Sequence, residues 1–162
     1  MNRVAITGQG VISSIGKSVK EVYQSLADGV SGISDLEIED VDRLKVQCGG
    51  QIKDYDPSQF FESHEISKMD KFSQFALIAA RQAVNDAGLS FENGSLAETS
   101  GVILGSSAGG MTTLNDSYKY VFEKKKNKVH PYTIPKIMAN SAASNISISL
   151  NIRGPSFTVS SA

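Results

Sequence analysis

Tryptophan is absent from these 162 residues, and cysteine, histidine and proline are scarce, at one, two and four. The lone Cys48 excludes an intramolecular disulfide and a cysteine-rich metal site, and it suits a reducing compartment. Neither His64 nor His130 has partners at metal-ligand spacing, so no metal and no cofactor is expected. Charge of one sign is missing too: the net of -1 predicts no general affinity for nucleic acid or for an anionic membrane surface. Long apolar runs are also lacking. The longest uncharged stretches, residues 99–115 and 137–152, are rich in Gly, Ser, Thr and Asn, and neither would insert into a bilayer. Residues 1–16 are apolar, but Gly8, Gly10 and Gly16 interrupt them and no cleavage site follows, unlike a secretory signal. A cytoplasmic protein is expected, with no nucleic-acid partner and no membrane insertion.

What is present is the material of a folded domain, with 40% hydrophobic residues and 14 glycines. Residues 3–7 read as a buried strand that ends in a glycine turn. Val19, Val22, Tyr23 and Leu26 recur at helical spacing over residues 18–27, with Ser18 as cap and Gly29 as stop. Residues 31–33 form a turn, the five carboxylates of residues 35–42 a solvated loop, and residues 45–53 a strand or hairpin around Gly49 and Gly50. One long helix is predicted over residues 65–87, from a Ser63 cap to Gly88. Its stripe runs Ile66, Met69, Phe72, Phe75, Ala76, Ala79, Ala80, Ala83, Val84 and Ala87. A second buried strand follows at 101–105, then a glycine turn, a helix over 112–124 and a basic run. Pro131 and Pro135 bracket a turn before a helix over 136–150, and residues 156–160 alternate as a last strand. Short strands alternating with helices mean an α/β fold with buried strands.

The chemistry-bearing patterns are weak. GQGVIS over residues 8–13 starts like a dinucleotide fingerprint, but Ser13 stands at its third glycine position. The turn at 105–109 fails the same spacing, and no Gly-Lys-Ser/Thr phosphate loop exists. Both turns read as tight strand ends. Cys48 has only Lys45 nearby and reads as an inert small apolar residue. His64 and His130 read as surface and loop residues, and the glycosylation patterns at Asn93 and Asn145 as chance matches. The residues alone describe an α/β domain without a self-contained active site, and a nucleotide-binding domain ranks last among its readings.

Taken in order, however, several segments resemble one family. They are VAITGQGVISSIG at 4–16, DGVSGI at 28–33, KMDKF at 68–72 with AVNDAGL at 83–89, and GVILGSSAGG at 101–110. PYTIP at 131–135, MAN at 138–140 and RGPSFTVSSA at 153–162 complete the set. Together they resemble the N-terminal half of β-ketoacyl-acyl-carrier-protein synthases of types I and II, with spacing that leans to II. The resemblance implies a thiolase-like layered α-β-α fold, of which residues 1–162 form the N-terminal domain of a pseudo-duplicated enzyme. It implies decarboxylative Claisen condensation of acyl chains with malonyl-carrier protein, in fatty-acid or polyketide synthesis. It places the nucleophilic cysteine directly after Ala162 and the remaining catalytic groups later still. This chain alone is therefore expected to carry no catalytic residue and to be inactive. A non-catalytic partner subunit of the chain-length-factor type is the alternative.

The same resemblance assigns roles to residues that are present. Ala108, Gly109, Gly110, Thr133 and Ile134 would line the acyl pocket, and Ala108 is small where a bulkier gate is usual, which implies a roomier pocket end. Lys124, Lys125, Lys126 and Lys128, with Lys68 and Lys71, would dock an acidic acyl carrier protein; the plain alternative is a solvated helix end. Ser156, Phe157, Thr158, Val159 and Ser160 would pair across the homodimer of the full-length enzyme, with Phe157 and Val159 on one face. A chain of this kind is expected to expose apolar surface and to depend on a partner or on self-association.

Overall fold

The computed structural model describes residues 3–92 and 94–161. In chain order its elements begin with α1 (Val19–Ala27), β1 (Ile33–Asp35), β2 (Cys48–Gly50), α2 (Ser63–Ile66) and α3 (Lys71–Asp86). They continue with α4 (Ser95–Thr99), β3 (Val102–Ser106), α5 (Met111–Tyr118), a π-helical extension over Lys119–Glu123, α6 (Thr133–Ile137), α7 (Ser141–Leu150) and β4 (Ser156–Ser160). Two units result: Met1–Asp56 with Arg81–Leu89, and Pro57–Ala80 with Ser90–Ala162.

The second unit holds the core. β3 and β4 pair in parallel, with Val102 opposite Ser156 and Ser106 opposite Ser160. Parallel neighbours need a crossover, and α5, α6 and α7 supply it. α7 packs across both strands. Ala142 and Ala143 are fully buried and Ile146 nearly so, which lets the helix approach the sheet closely. Val102, Leu104 and Thr158 turn toward the covered side, while Ile103, Phe157 and Val159 stand on the other, at 71%, 50% and 57% exposure. The strands are thus buried on one face, not on both as their apolar composition predicts. The expected alternation in β4 holds, but its apolar face is the open one.

The expected helix over 65–87 is two helices. α2 opens with a reciprocal cap in which the Glu65 carboxylate accepts from the Glu62 amide at 2.9 Å, so Glu62 rather than Ser63 precedes the first turn. The chain then breaks, and α3 starts where the Asp70 carboxylate accepts from the Phe72 amide at 3.3 Å. A second cap in mid-segment ends one helix and begins another. The buried face of α3 is Ser73, Gln74, Leu77 and Ile78, while the predicted alanines are half-buried. Ser73 Oγ lies 3.3 Å from Ser141 Oγ of α7, a polar contact between two helices inside the core. The predicted turn around Pro135 is helix α6: proline in a first turn loses no intrahelical bond. Met138 is extended, so α7 begins anew at Ser141 and ends on left-handed Asn151.

In the first unit no described residue is buried. α1 forms as its spacing predicts, with Ser18 Oγ accepting from the Glu21 amide at 3.3 Å. β1 and β2 pair antiparallel, so Ile33, expected in a turn, opens a strand. Residues 3–7 are not a strand. Val4 and Ile6 are 94% and 84% exposed, because no described segment offers them a ladder partner. The following turn is held by side chains of α3: the Gln9 amide donates to Asp86 at 2.9 Å and the Val11 amide to Gln82 at 3.0 Å. Gln82 Nε2 donates in turn to the Lys17 carbonyl at 2.7 Å.

A Cβ at Gly8 would stand 2.1 Å from the Ala83 carbonyl oxygen, whereas one at Gly29 meets nothing within 4 Å. Gly8→Ala therefore costs about 2–3 kcal/mol through steric displacement. Gly29→Ala, strained only by its φ of +69°, costs about 1 kcal/mol. Urea unfolding of both variants against the parent checks the order.

Candidate functional site

Every predicted site residue lies in the second unit. β3 delivers the chain into the glycine turn. Ala108 there is exposed, Gly109 adopts φ +74° and Gly110 is buried. A Cβ on Gly109 would come within 2.5 Å of the Ile137 carbonyl oxygen, and one on Gly110 within 2.3 Å of that of Lys136. The Gly110 amide donates to Ile137 O at 3.3 Å. Glycine is needed because two backbones touch. The structure thus brings together the two segments predicted to line one pocket, the turn at 108–110 and the helix that bears Thr133 and Ile134.

A cleft of about 400 Å³ opens beside them. Its walls include Thr113, Asp116, Tyr120, Lys128, His130 and Thr133. Thr133 is buried, and its hydroxyl has no hydrogen-bond partner among the described residues. Of the predicted pocket residues only Thr133 lines this cleft; Ala108, Gly109, Gly110 and Ile134, the last 61% exposed, do not. His130 is a turn residue: its Nδ1 accepts from the Tyr132 amide at 3.2 Å. The described residues contain no cluster of three metal-ligating side chains, and no described helix is long and apolar enough to cross a membrane.

Lys124, Lys125, Lys126 and Lys128 are exposed and follow the π-helical extension of α5. Lys68 reaches the same neighbourhood, its ammonium 5.8 Å from the centre of the Tyr132 ring. Ser156, Phe157, Thr158, Val159 and Ser160 form β4, paired with β3 on one edge and with no other strand among the described residues. Ala162, next to the expected cysteine position, lies outside the described residues. In the first unit, burial and then the Asp56 carboxylate push Tyr55 up to about 12.

Sequence reasoning missed Asp70, Asp116 and Tyr120. Asp70 could have been found, since an aspartate followed by a helical stripe is a capping signal. Asp116 and Tyr120 share one helical face with Thr113, but a polar helix face by itself does not signal a cleft.

The whole chain, residues 1–162, matches the family model described as beta-ketoacyl synthase, N-terminal domain. It is 35% identical over 153 residues to the 3-oxoacyl-[acyl-carrier-protein] synthase 2 of Staphylococcus aureus strain N315, covering 94% of this chain and 37% of that protein. It is 33% identical over 160 residues to the synthase 2 of Vibrio harveyi, covering 99% and 38%. The chain therefore spans under two-fifths of these relatives. Among solved structures it is similar to the ishigamide ketosynthase/chain length factor, with TM-score 0.83, 27% identity, and coverage of 96% of this chain and 39% of that one. It also shares its fold with a beta-ketoacyl synthase from Burkholderia phymatum STM815, with TM-score 0.76, 20% identity and coverage of 98% and 39%. The thiolase-like α/β class expected from the sequence is the class of these neighbours.

An orphaned buried hydroxyl destabilises. Thr133→Val should therefore raise stability by about 1 kcal/mol, read from the urea midpoint at constant slope. A drop instead would mean that the hydroxyl has found a partner in solution.

Proposed function

Because the chain belongs to the family of β-ketoacyl synthase N-terminal domains, we propose that it is the N-terminal part of a condensing enzyme. That enzyme would extend acyl chains on acyl carrier protein, in fatty-acid or related polyketide synthesis. The observation that carries this reading is the end-to-end match to synthases at 33–35% identity. In the reaction, a cysteine thiolate takes the acyl group from a carrier thioester and releases the carrier thiol. Malonyl-carrier protein loses carbon dioxide, and its carbanion attacks the enzyme thioester. The thiolate leaves, and a β-ketoacyl-carrier two carbons longer departs. The cysteine would follow Ala162, where a strand running into a helix start favours thiolate and supplies an oxyanion-hole amide. On this reading the chain alone has no condensing activity and needs no cofactor.

Within it, Ala108, Gly109, Gly110, Thr133 and Ile134 form a wall of the acyl pocket. The contact of the 108–110 turn with α6 supports that grouping. The free outer edge of β4 would pair with its two-fold mate in a homodimer. Lys124, Lys125, Lys126 and Lys128, with Lys68 and Lys71, would meet the acidic carrier protein. A cytoplasmic location fits this work. A chain-length-factor type of subunit is the second reading, and the likeness to a ketosynthase/chain length factor favours keeping it. The residue that follows Ala162 separates the two: cysteine supports the catalytic reading, and any other residue overturns it.

In the full-length enzyme, reversing the four lysines to Glu should raise KM for carrier-bound substrate about tenfold. KM for a small thioester analogue should stay unchanged. Equal rises on both substrates would refute carrier docking. Ala108→Ile should lower kcat/KM for long chains relative to short ones by about tenfold. An unchanged ratio would remove Ala108 from the pocket wall.

A further inference from the structure

Asp70 is a buried carboxylate, 4% exposed, in the break between α2 and α3. Its two oxygens face two helices. Oδ1 accepts from the Phe72 amide at 3.3 Å, in the first turn of its own helix. Oδ2 accepts from the Thr113 amide at 2.7 Å, in the first turn of α5, 43 residues away. Amides of a first turn have no acceptor within their own helix, and the residue before the helix normally supplies one from its side chain. In α5 that residue is Gly110, which has no side chain. It cannot acquire one, since a Cβ there would come within 2.3 Å of the Lys136 carbonyl oxygen. The remote carboxylate supplies the acceptor that close backbone packing denies locally. Its charge also suits the positive end of the helix.

The start of α5 is therefore held from two sides. The Gly110 amide is tied to Ile137 O at 3.3 Å, and the Thr113 amide to Asp70. The near end of the turn is tied to β4, where Ser160 Oγ donates to the Ser107 carbonyl at 3.0 Å, so Asp70 and Ile137 fix its far end.

We propose that Asp70 is a positioning residue that holds the Ala108–Gly110 turn in place through Thr113, and so sets the wall of the acyl pocket. The inference rests on the pocket role given to that turn above. Its test uses Asp70→Asn and Asp70→Ser in the full-length enzyme. Asparagine keeps the shape but sets an amide group against one of the two N–H donors. Serine still caps Phe72 locally and is too short to reach Thr113. Two quantities are read: hydrogen exchange of the Phe72 and Thr113 amides, and the ratio of kcat/KM for long against short acyl-carrier substrates.

Asp70→Ser should speed exchange at Thr113 about tenfold and leave Phe72 protected, and Asp70→Asn should speed exchange at whichever of the two amides loses its acceptor. The chain-length ratio should move about tenfold, since a displaced apolar wall discriminates by methylenes. A merely structural loss would lower all chain lengths alike. Unchanged exchange at Thr113 in Asp70→Ser overturns the tie, whatever the turn does. Faster exchange with an unmoved ratio overturns the positioning role if Ala108→Ile still moves that ratio. If Ala108→Ile moves nothing either, the pocket reading of the turn is what has failed.

Discussion

The packing of α7 on one face of the β3–β4 pair is the contact on which the second unit depends. Two strands alone are marginal in water, and an apolar helix face is what stabilises them. Ala142 and Ala143 bring the helix close, Ile146 and Val102 fill the contact, and Leu77 and Ile78 of α3 extend the core. The opposite face of the same sheet has no such cover. Burying the exposed parts of Ile103, Phe157 and Val159 would be worth on the order of 3–5 kcal/mol. Unburied apolar surface on that face leaves a demand for cover.

The first unit shows that demand in sharper form. Tyr23 and Leu26, on the apolar stripe of α1, are 74% and 65% exposed, and Val4 and Ile6 are more exposed still. What holds the unit is polar: Gln82 and Asp86 on the 9–11 turn, Ser25 on the Ile15 carbonyl, and Lys17 on the Asp54 carbonyl. Such bonds contribute about 1 kcal/mol each, because water offers the same partners to the unfolded chain. They give the segment its register but little stability. The apolar face of α1 has the composition of a buried helix without the burial.

Much of the architecture was legible in the sequence because local signals and packing agree there. Ser18 caps α1, residues 156–160 form β4, and the glycine turn sits at the end of β3. Legibility failed where a distant group decides. The local cap at Asp70 was there to be read, but its second oxygen accepts from the Thr113 amide of α5, which no window around residue 70 reveals. Residues 3–7 have strand composition, yet a strand exists only with a neighbour to pair with. In the site, the glycines at 109 and 110 were legible as a turn but not as a backbone contact with residues 136–139. Of the cleft wall Thr133 was legible, but Asp116 and Tyr120 were not, because polar residues on one face of a helix look like a solvated face until residues 128–133 close over them.

The glycine-rich turns also bear on the nucleotide reading, and there the geometry is more decisive than the failed fingerprint. A phosphate loop offers unpaired backbone amides to an anion, with glycines that let the ligand approach. In the 8–11 turn the Gln9 and Val11 amides are already taken, by Asp86 and Gln82. One of those acceptors is a carboxylate, which would repel a phosphate. Gly8 is required by the Ala83 carbonyl beside it, so no ligand is needed to explain it. In the later turn, Gly110 N is spent on Ile137 O and Met111 N on Gly109 O. Both turns use glycine to bring backbone against backbone, and two amides in each are satisfied from within. These turns are packing devices, held by contacts between backbones, and neither presents a ring of free donors at its glycines.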